Sequence, residues 1–144
     1  MQPRRFPARR SIPAWLTTPE AKSKGVPLPP EFIERWKRFF PSLDLRRVRV
    51  HWGIPARLTR LAGIPNPAAV SYRYHIYVDP RYADLNSPHG TRVILHELRH
   101  VAQWRAFGDR LYTMYQEANR RGYWRNPLEQ DAYRYERLIL AAVP

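Results

Sequence analysis

The segment from Ser87 to Gly108 limits the possible folds more than any other part of the sequence, because it reads as one helix with a defined start and stop. Ser87 suits an N-cap, Pro88 suits the first turn, and Gly108 ends the run. Inside it stands His96-Glu97-Leu98-Arg99-His100. On a helix, positions i and i+4 lie about one turn apart on one face, so both imidazoles can reach one zinc ion at ~2.0 to 2.1 Å. Glu97 falls beside that face, where a carboxylate can take a proton from a metal-bound water. The fold must therefore offer this helix a cleft and a third ligand from elsewhere in the chain.

Composition narrows what can surround the helix. A length of 144 residues suits one domain, 44% apolar residues can fill one core, and 15 prolines against 6 glycines favour short, stiff connections. The lack of cysteine removes a disulfide scaffold, a thiol nucleophile and every cysteine-based zinc ribbon, so a metal must be held by His, Asp or Glu. No apolar stretch approaches the ~20 residues that cross a bilayer. Arg4, Arg5, Arg9 and Arg10 are not followed by the apolar run of a Sec signal peptide, so the expected location is the cytoplasm or export by a non-classical route.

Residues 1 to 30 hold seven of the prolines, six basic residues and one acid, and are expected to form a basic, extended arm that serves as a pro-segment or docking tail. Residues 31 to 144 are expected to form a single domain. Phe32, Ile33, Trp36, Phe39 and Phe40 recur at helical spacing from Glu31 to Phe40, ahead of Pro41. Residues 46 to 52 alternate as a strand, and Pro55 opens a short helix through Leu58 and Leu61 to Gly63. Val70 to Val78 reads as one strand, with Tyr72, Tyr74, Ile76 and Val78 on one face and Arg73, His75 and Tyr77 on the other. A helix follows from Asp109 to Arg121. The last helix has Asn126 as cap, Pro127 at its first position, and Leu128, Ala132, Tyr135 and Ile139 as its apolar stripe.

Glu129 is the expected third ligand, because it sits in the first turn of the last helix and Ala132, one turn on, lets that helix approach closely. Asn126 and Glu129 also have the spacing of a capping box, which would turn the carboxylate back onto its own helix. Asp131, Glu136, Glu117 and His89 are the further candidates. A hydrolytic site also needs a donor for a developing oxyanion, and His75, Tyr123 and Tyr133 are the candidates.

The string from Val48 to Trp104 resembles a bacterial family regarded as zinc metallopeptidases, a domain of unknown function associated with extracellular contractile injection systems. That family's motif, H-E-L-x-H-V-x-Q-Q, is matched by His96, Glu97, Leu98, His100, Val101 and Gln103, and Trp104 departs from it. The later Asn126-Pro-Leu-Glu129-Gln-Asp-Ala132 is similar to the E-x-x-A pattern of the gluzincins. The resemblance implies Zn2+ held by His96, His100 and Glu129, with Glu97 as general base. It also implies an α+β fold with a minimal zincin-like core, a small β-sheet packed on the HExxH helix, plus additional helices.

The expected function is thus a zinc-dependent metallopeptidase that hydrolyses a peptide or protein substrate through Zn-bound water. The edge of the Val70 to Val78 strand is the expected place for the substrate backbone. The competing expectation is a non-catalytic basic binding module on a peptidase-like fold, which would contact nucleic acid or another acidic partner. It draws on the net charge of +13 and on the clusters Arg46, Arg47, Arg49 and Arg120, Arg121, Arg125.

Overall fold

A computed structural model of the chain describes residues 25–64, 66–82 and 84–143. Four strands make one mixed sheet in the order β1-β2-β4-β3: β1 (Val26–Pro27), β2 (Arg49–Trp52), β3 (Ala69–Tyr72) and β4 (His75–Val78). The helices are α1 (Pro30–Trp36), α2 (Ala56–Ala62), α3 (Pro88–Phe107), α4 (Arg110–Ala118) and α5 (Pro127–Ala141). The fold is α+β, as the sequence predicts. β2 and β4 run parallel, with Arg49 opposite His75 and Trp52 opposite Val78, and β1 lies antiparallel outside β2.

The expected strand from Val70 to Val78 is a hairpin. β3 turns back on β4 through Arg73 and Tyr74, and Arg73 adopts the left-handed conformation at φ 52°. No Gly, Asn or Asp marks that turn, so the residue pattern conceals it. A two-residue turn also reverses the parity of the alternation. Val70 pairs with Tyr77 and Tyr72 with His75, whereas Ala69 and Ser71 pair with Val78 and Ile76. Tyr72 therefore shares a face with Tyr77, and Ile76 and Val78 face the other way.

Three further boundaries differ from expectation. β2 starts at Arg49 because Asp44 accepts the Arg46 backbone N–H at 3.1 Å and winds Leu45–Arg47 into a 3-10 turn. α1 ends at Trp36 and tightens into a 3-10 turn over Lys37–Phe39. α4 ends at Ala118 and does likewise over Asn119–Arg121. Most of the expected arm lies outside the described residues, and so does its role as pro-segment or docking tail. Its last residues belong to the fold: Val26 pairs with Val50, Leu28 is buried, and Pro30 opens α1.

Two apolar clusters flank the sheet. On one side Ile94, Leu95, Leu98 and Val101 of α3 pack with Val50, Ile76 and Val78 and with Phe32, Trp36 and Phe40. Tyr135 of α5 ties the same cluster together by donating its hydroxyl to the Phe39 carbonyl. On the other, Leu58 and Ala62 of α2 meet Val70, Tyr72, Tyr77, Trp104 and Leu111. Leu98 has no solvent exposure and lies inside the H-E-x-x-H turn, so its packing sets the height of that turn over the sheet. Leu98→Ala is expected to cost about 2 to 5 kcal/mol of stability, read as a lowered urea midpoint without change in its slope.

Candidate metal centre

α3 begins where its cap dictates. The Ser87 hydroxyl accepts the Gly90 N–H at 3.0 Å and donates to the Asp84 carbonyl at 2.7 Å. Gly90 is required at that point, because a Cβ there would strike the Asp84 carbonyl. With its start pinned and one face held in the core, α3 delivers His96 and His100 together to the side facing α5.

α5 is fixed just as firmly. Asn126 is fully buried, accepts the Leu128 N–H at 2.9 Å and donates to Asn119 Oδ1 at 2.8 Å. Ala132 is also fully buried and keeps α5 close to α3. The Glu129 carboxylate does not close a capping box; it reaches across to the two histidines. Glu129 Oε1 lies 2.9 Å from His96 Nε2 and 2.9 Å from His100 Nε2, and the two Nε2 atoms are 3.2 Å apart.

That triangle suits a metal ion, since tetrahedral ligand atoms at ~2.0 to 2.1 Å from zinc stand about 3.3 Å apart. The donor chemistry agrees. Imidazole nitrogens and a carboxylate oxygen all carry lone pairs, and three of them this close are held together by a metal ion or by protons on the rings. His96, His100 and Glu129 are each at most 7% exposed, so water does little to fill that role. His96, Glu97 and His100 also bring ligand atoms to within 4.8 Å of one another, a group that could hold a metal ion. Glu97 sits beside the triangle, and its Oε2 accepts the Ser71 hydroxyl of β3 at 2.5 Å.

Without a metal the site holds protons instead. Burial resists charge on His96, but the Glu129 and Glu136 carboxylates outweigh it and push its pKa up to about 10. His100 is raised too, against its burial, by Glu129. Burial favours a protonated Glu129, yet the two imidazoles hold its carboxyl well below the usual range. Tyr115 of α4 donates to Glu129 Oε2 at 2.5 Å, and burial together with that carboxylate keeps its hydroxyl protonated far above the ordinary range.

The other expected residues divide clearly. Glu136 lines the cleft, accepts Arg92 Nε at 3.0 Å, and pairs with His96 Nδ1 at 3.4 Å without hydrogen-bond geometry. Asp131 is held by Arg99 and Gln103 and is not among the residues that line the cleft. His89 lines the cleft, whereas Glu117 pairs with Arg120 on the surface at 3.3 Å. Tyr123 and Tyr133 line the cleft and share a hydroxyl contact of 3.0 Å, and the Tyr133 ring lies 4.3 Å from that of His96. The cleft encloses about 390 Å³ and is floored by the triangle, with β3 on one wall and these tyrosines on another. Of the two arginine clusters, one runs into the start of β2 and the other lies between α4 and α5 along the chain.

His75 is not at the cleft. It meets His51 of β2, Nδ1 to Nε2, at 2.9 Å, and His51 stacks on Tyr77 with ring centroids 4.4 Å apart. Burial lowers the pKa of His51 to about 4 and lowers that of His75 as well. The folded state thus keeps these rings neutral where the unfolded chain, at ~6.5, begins to take up protons. Stability should fall as pH drops from about 6.5 toward 4, and His51→Gln should flatten that slope in urea titrations across the window.

Three side chains at the site were not among the expected set. Ser71 was hidden within a supposed single strand, and Tyr115 carried no local signal among nine tyrosines. Gln103 could have been found: it lies three residues after His100 on the same helix face and accepts its Nδ1–H at 2.7 Å.

The sequence profile of a protein family described as the eCIS core domain matches residues 27–108, more than half of the chain. The match runs from β1 to the end of α3 and stops before α4 and α5, which supply Tyr115 and Glu129. No curated protein and no solved structure matches the chain.

Proposed function

Since the chain belongs to the eCIS core domain family, we propose that it is a zinc-dependent peptidase whose metal is held by His96, His100 and Glu129 and whose general base is Glu97. The observation that carries this reading is the convergence of two imidazole nitrogens and one carboxylate oxygen within 3.2 Å of each other, beside a second carboxylate, at the floor of a cleft. A zinc ion there would supply Lewis acidity, polarising a peptide carbonyl and bringing the pKa of a water molecule near 7.

The protein groups then have distinct work. Ser71 anchors Glu97 Oε2, which leaves the other carboxylate oxygen to take a proton from the attacking water and return it to the leaving amine. Tyr123 and Tyr133 share one hydroxyl contact, so one O–H of the pair remains to be offered to a substrate oxygen. β3 is an edge strand and can take a peptide backbone by strand addition. The Ser71 carbonyl already accepts the Trp104 indole N–H at 3.3 Å, so a substrate would pair beside Ala69.

The test is the metal content of the purified chain by plasma mass spectrometry, followed by an assay on a fluorogenic protein digest. About one zinc per chain is expected, with activity lost on chelation and restored by zinc. A chain that binds no zinc even after incubation in excess would overturn the reading.

A further inference from the structure

We propose that Gln103 is a positioning residue that fixes His100 in the tautomer with its proton on Nδ1 and its Nε2 lone pair turned to the metal, an inference that rests on His100 being a ligand. The orientation of the Gln103 amide follows from its surroundings. Its Nε2 contacts the Leu128 carbonyl and Asp131 Oδ2, each at 3.0 Å. Both of those atoms only accept, so the NH2 group must face them and Oε1 must face His100. Oε1 also only accepts, and at 2.7 Å it requires a proton on His100 Nδ1. In the neutral, metal-binding form of the ring the lone pair is then on Nε2, the atom beside His96 Nε2 and Glu129 Oε1.

The anchor behind Gln103 is itself braced. Arg99 clamps Asp131 through two contacts, Nε to Oδ2 at 2.7 Å and Nη2 to Oδ1 at 3.2 Å, and its guanidinium lies 4.1 Å from the Tyr135 ring. The chain Arg99–Asp131–Gln103–His100 thus crosses twice between α3 and α5, the two helices that carry the ligands. One cross-link sets the helix spacing and the imidazole orientation together. His96 is supported differently: its Nδ1 forms no hydrogen bond among the described residues, and it stands 3.4 Å from Glu136 Oε2 as an ion-pair contact. Of the two imidazoles, His100 is the one whose Nδ1 is held by a formed hydrogen bond.

The sequence points the same way. Gln103 lies inside the segment that matches the family profile, but both groups that orient its amide, the Leu128 carbonyl and Asp131, lie beyond it. The C-terminal helix thus supplies the third ligand and also the partners that aim the second.

The experiment is a zinc competition titration of the full chain and of Gln103→Met, which keeps length and loses every hydrogen bond, beside 15N-histidine NMR of the zinc-loaded proteins. Zinc affinity should fall about 10- to 100-fold in the variant, and the His100 Nδ1–H resonance should move upfield and exchange faster with water. A fold that is intact but loosened would not change that single proton selectively. Equal affinity with an unchanged Nδ1–H signal would overturn the proposal and leave the metal site standing. A wild-type chain that binds no zinc would instead remove the metal site, and the proposal with it. Should Gln103→Met fail to fold, Asp131→Ala takes its place: it frees one side of the amide, and a several-fold loss with the same spectral shift is expected, while no change in either overturns the proposal.

Discussion

Glu129→Ala is expected to purify with the zinc content of the buffer, whereas the parent chain carries about one ion. Among the described residues Glu129 is the acidic group hydrogen-bonded to both Nε2 atoms, at 2.9 Å each, and it is 4% exposed. Without it two neutral imidazoles remain, short of the three protein ligands that a catalytic zinc normally uses. The loss of affinity should exceed about 100-fold, the upper end of what removal of an outer partner costs. Stability supplies a second readout. A ligand that binds only the folded chain at 100 times its Kd adds about 2.7 kcal/mol, so zinc should raise the melting temperature of the parent and leave the variant where it is. Full zinc occupancy in Glu129→Ala would remove this residue from the ligand set.

Glu97→Gln is expected to do the opposite, keeping the metal and losing turnover. The Glu97 carboxylate is tied to Ser71 rather than placed within the triangle, and an amide of the same shape can still accept that hydroxyl at its oxygen. What the amide cannot do is carry a proton between an attacking water and a leaving amine. Such proton transfer contributes about 100- to 10,000-fold, and the loss should fall on kcat with little change in KM. Zinc stoichiometry and hydrolysis of the fluorogenic digest, measured on one preparation, check both halves. Undiminished hydrolysis by Glu97→Gln would sink the assignment of the base.

The sequence was most informative where one local rule governs one element. Ser87, Pro88 and Gly108 bound α3 as their cap chemistry requires, and Asn126 with Pro127 starts α5. It was least informative at the hairpin. Arg73 carries a positive φ that no local preference announces, and the turn changed which residues share a face. The reason is energetic: a left-handed arginine costs little beside the burial of Val70, Tyr72 and Tyr77 on one side and Ile76 and Val78 on the other, so tertiary packing outweighs the local preference.

The choice between roles for Glu129 shows the same limit. Its spacing from Asn126 fits a capping box, and a carboxylate at that place is equally free to serve as a metal ligand. The capping box is absent because the Asn126 N–H it would use is donated to the Tyr123 carbonyl at 3.1 Å, and the Glu129 carboxylate meets His96 and His100 instead.

What the sequence determined by itself was the pair of imidazoles on one helix face with a carboxylate beside them, because the 3.6-residue period leaves no other placement once the helix forms. The convergence of Glu129 with that pair, the lock of Ser71 on Glu97, the reach of Tyr115 from α4 and the clamp of Gln103 between two helices were decided only by the tertiary structure. Those contacts join residues 14 to 33 positions apart, or lie in a helix face whose partner comes from such a distance. Their formation depends on how closely α3, α4, α5 and β3 pack, and a spacing of residues along the chain does not encode that distance.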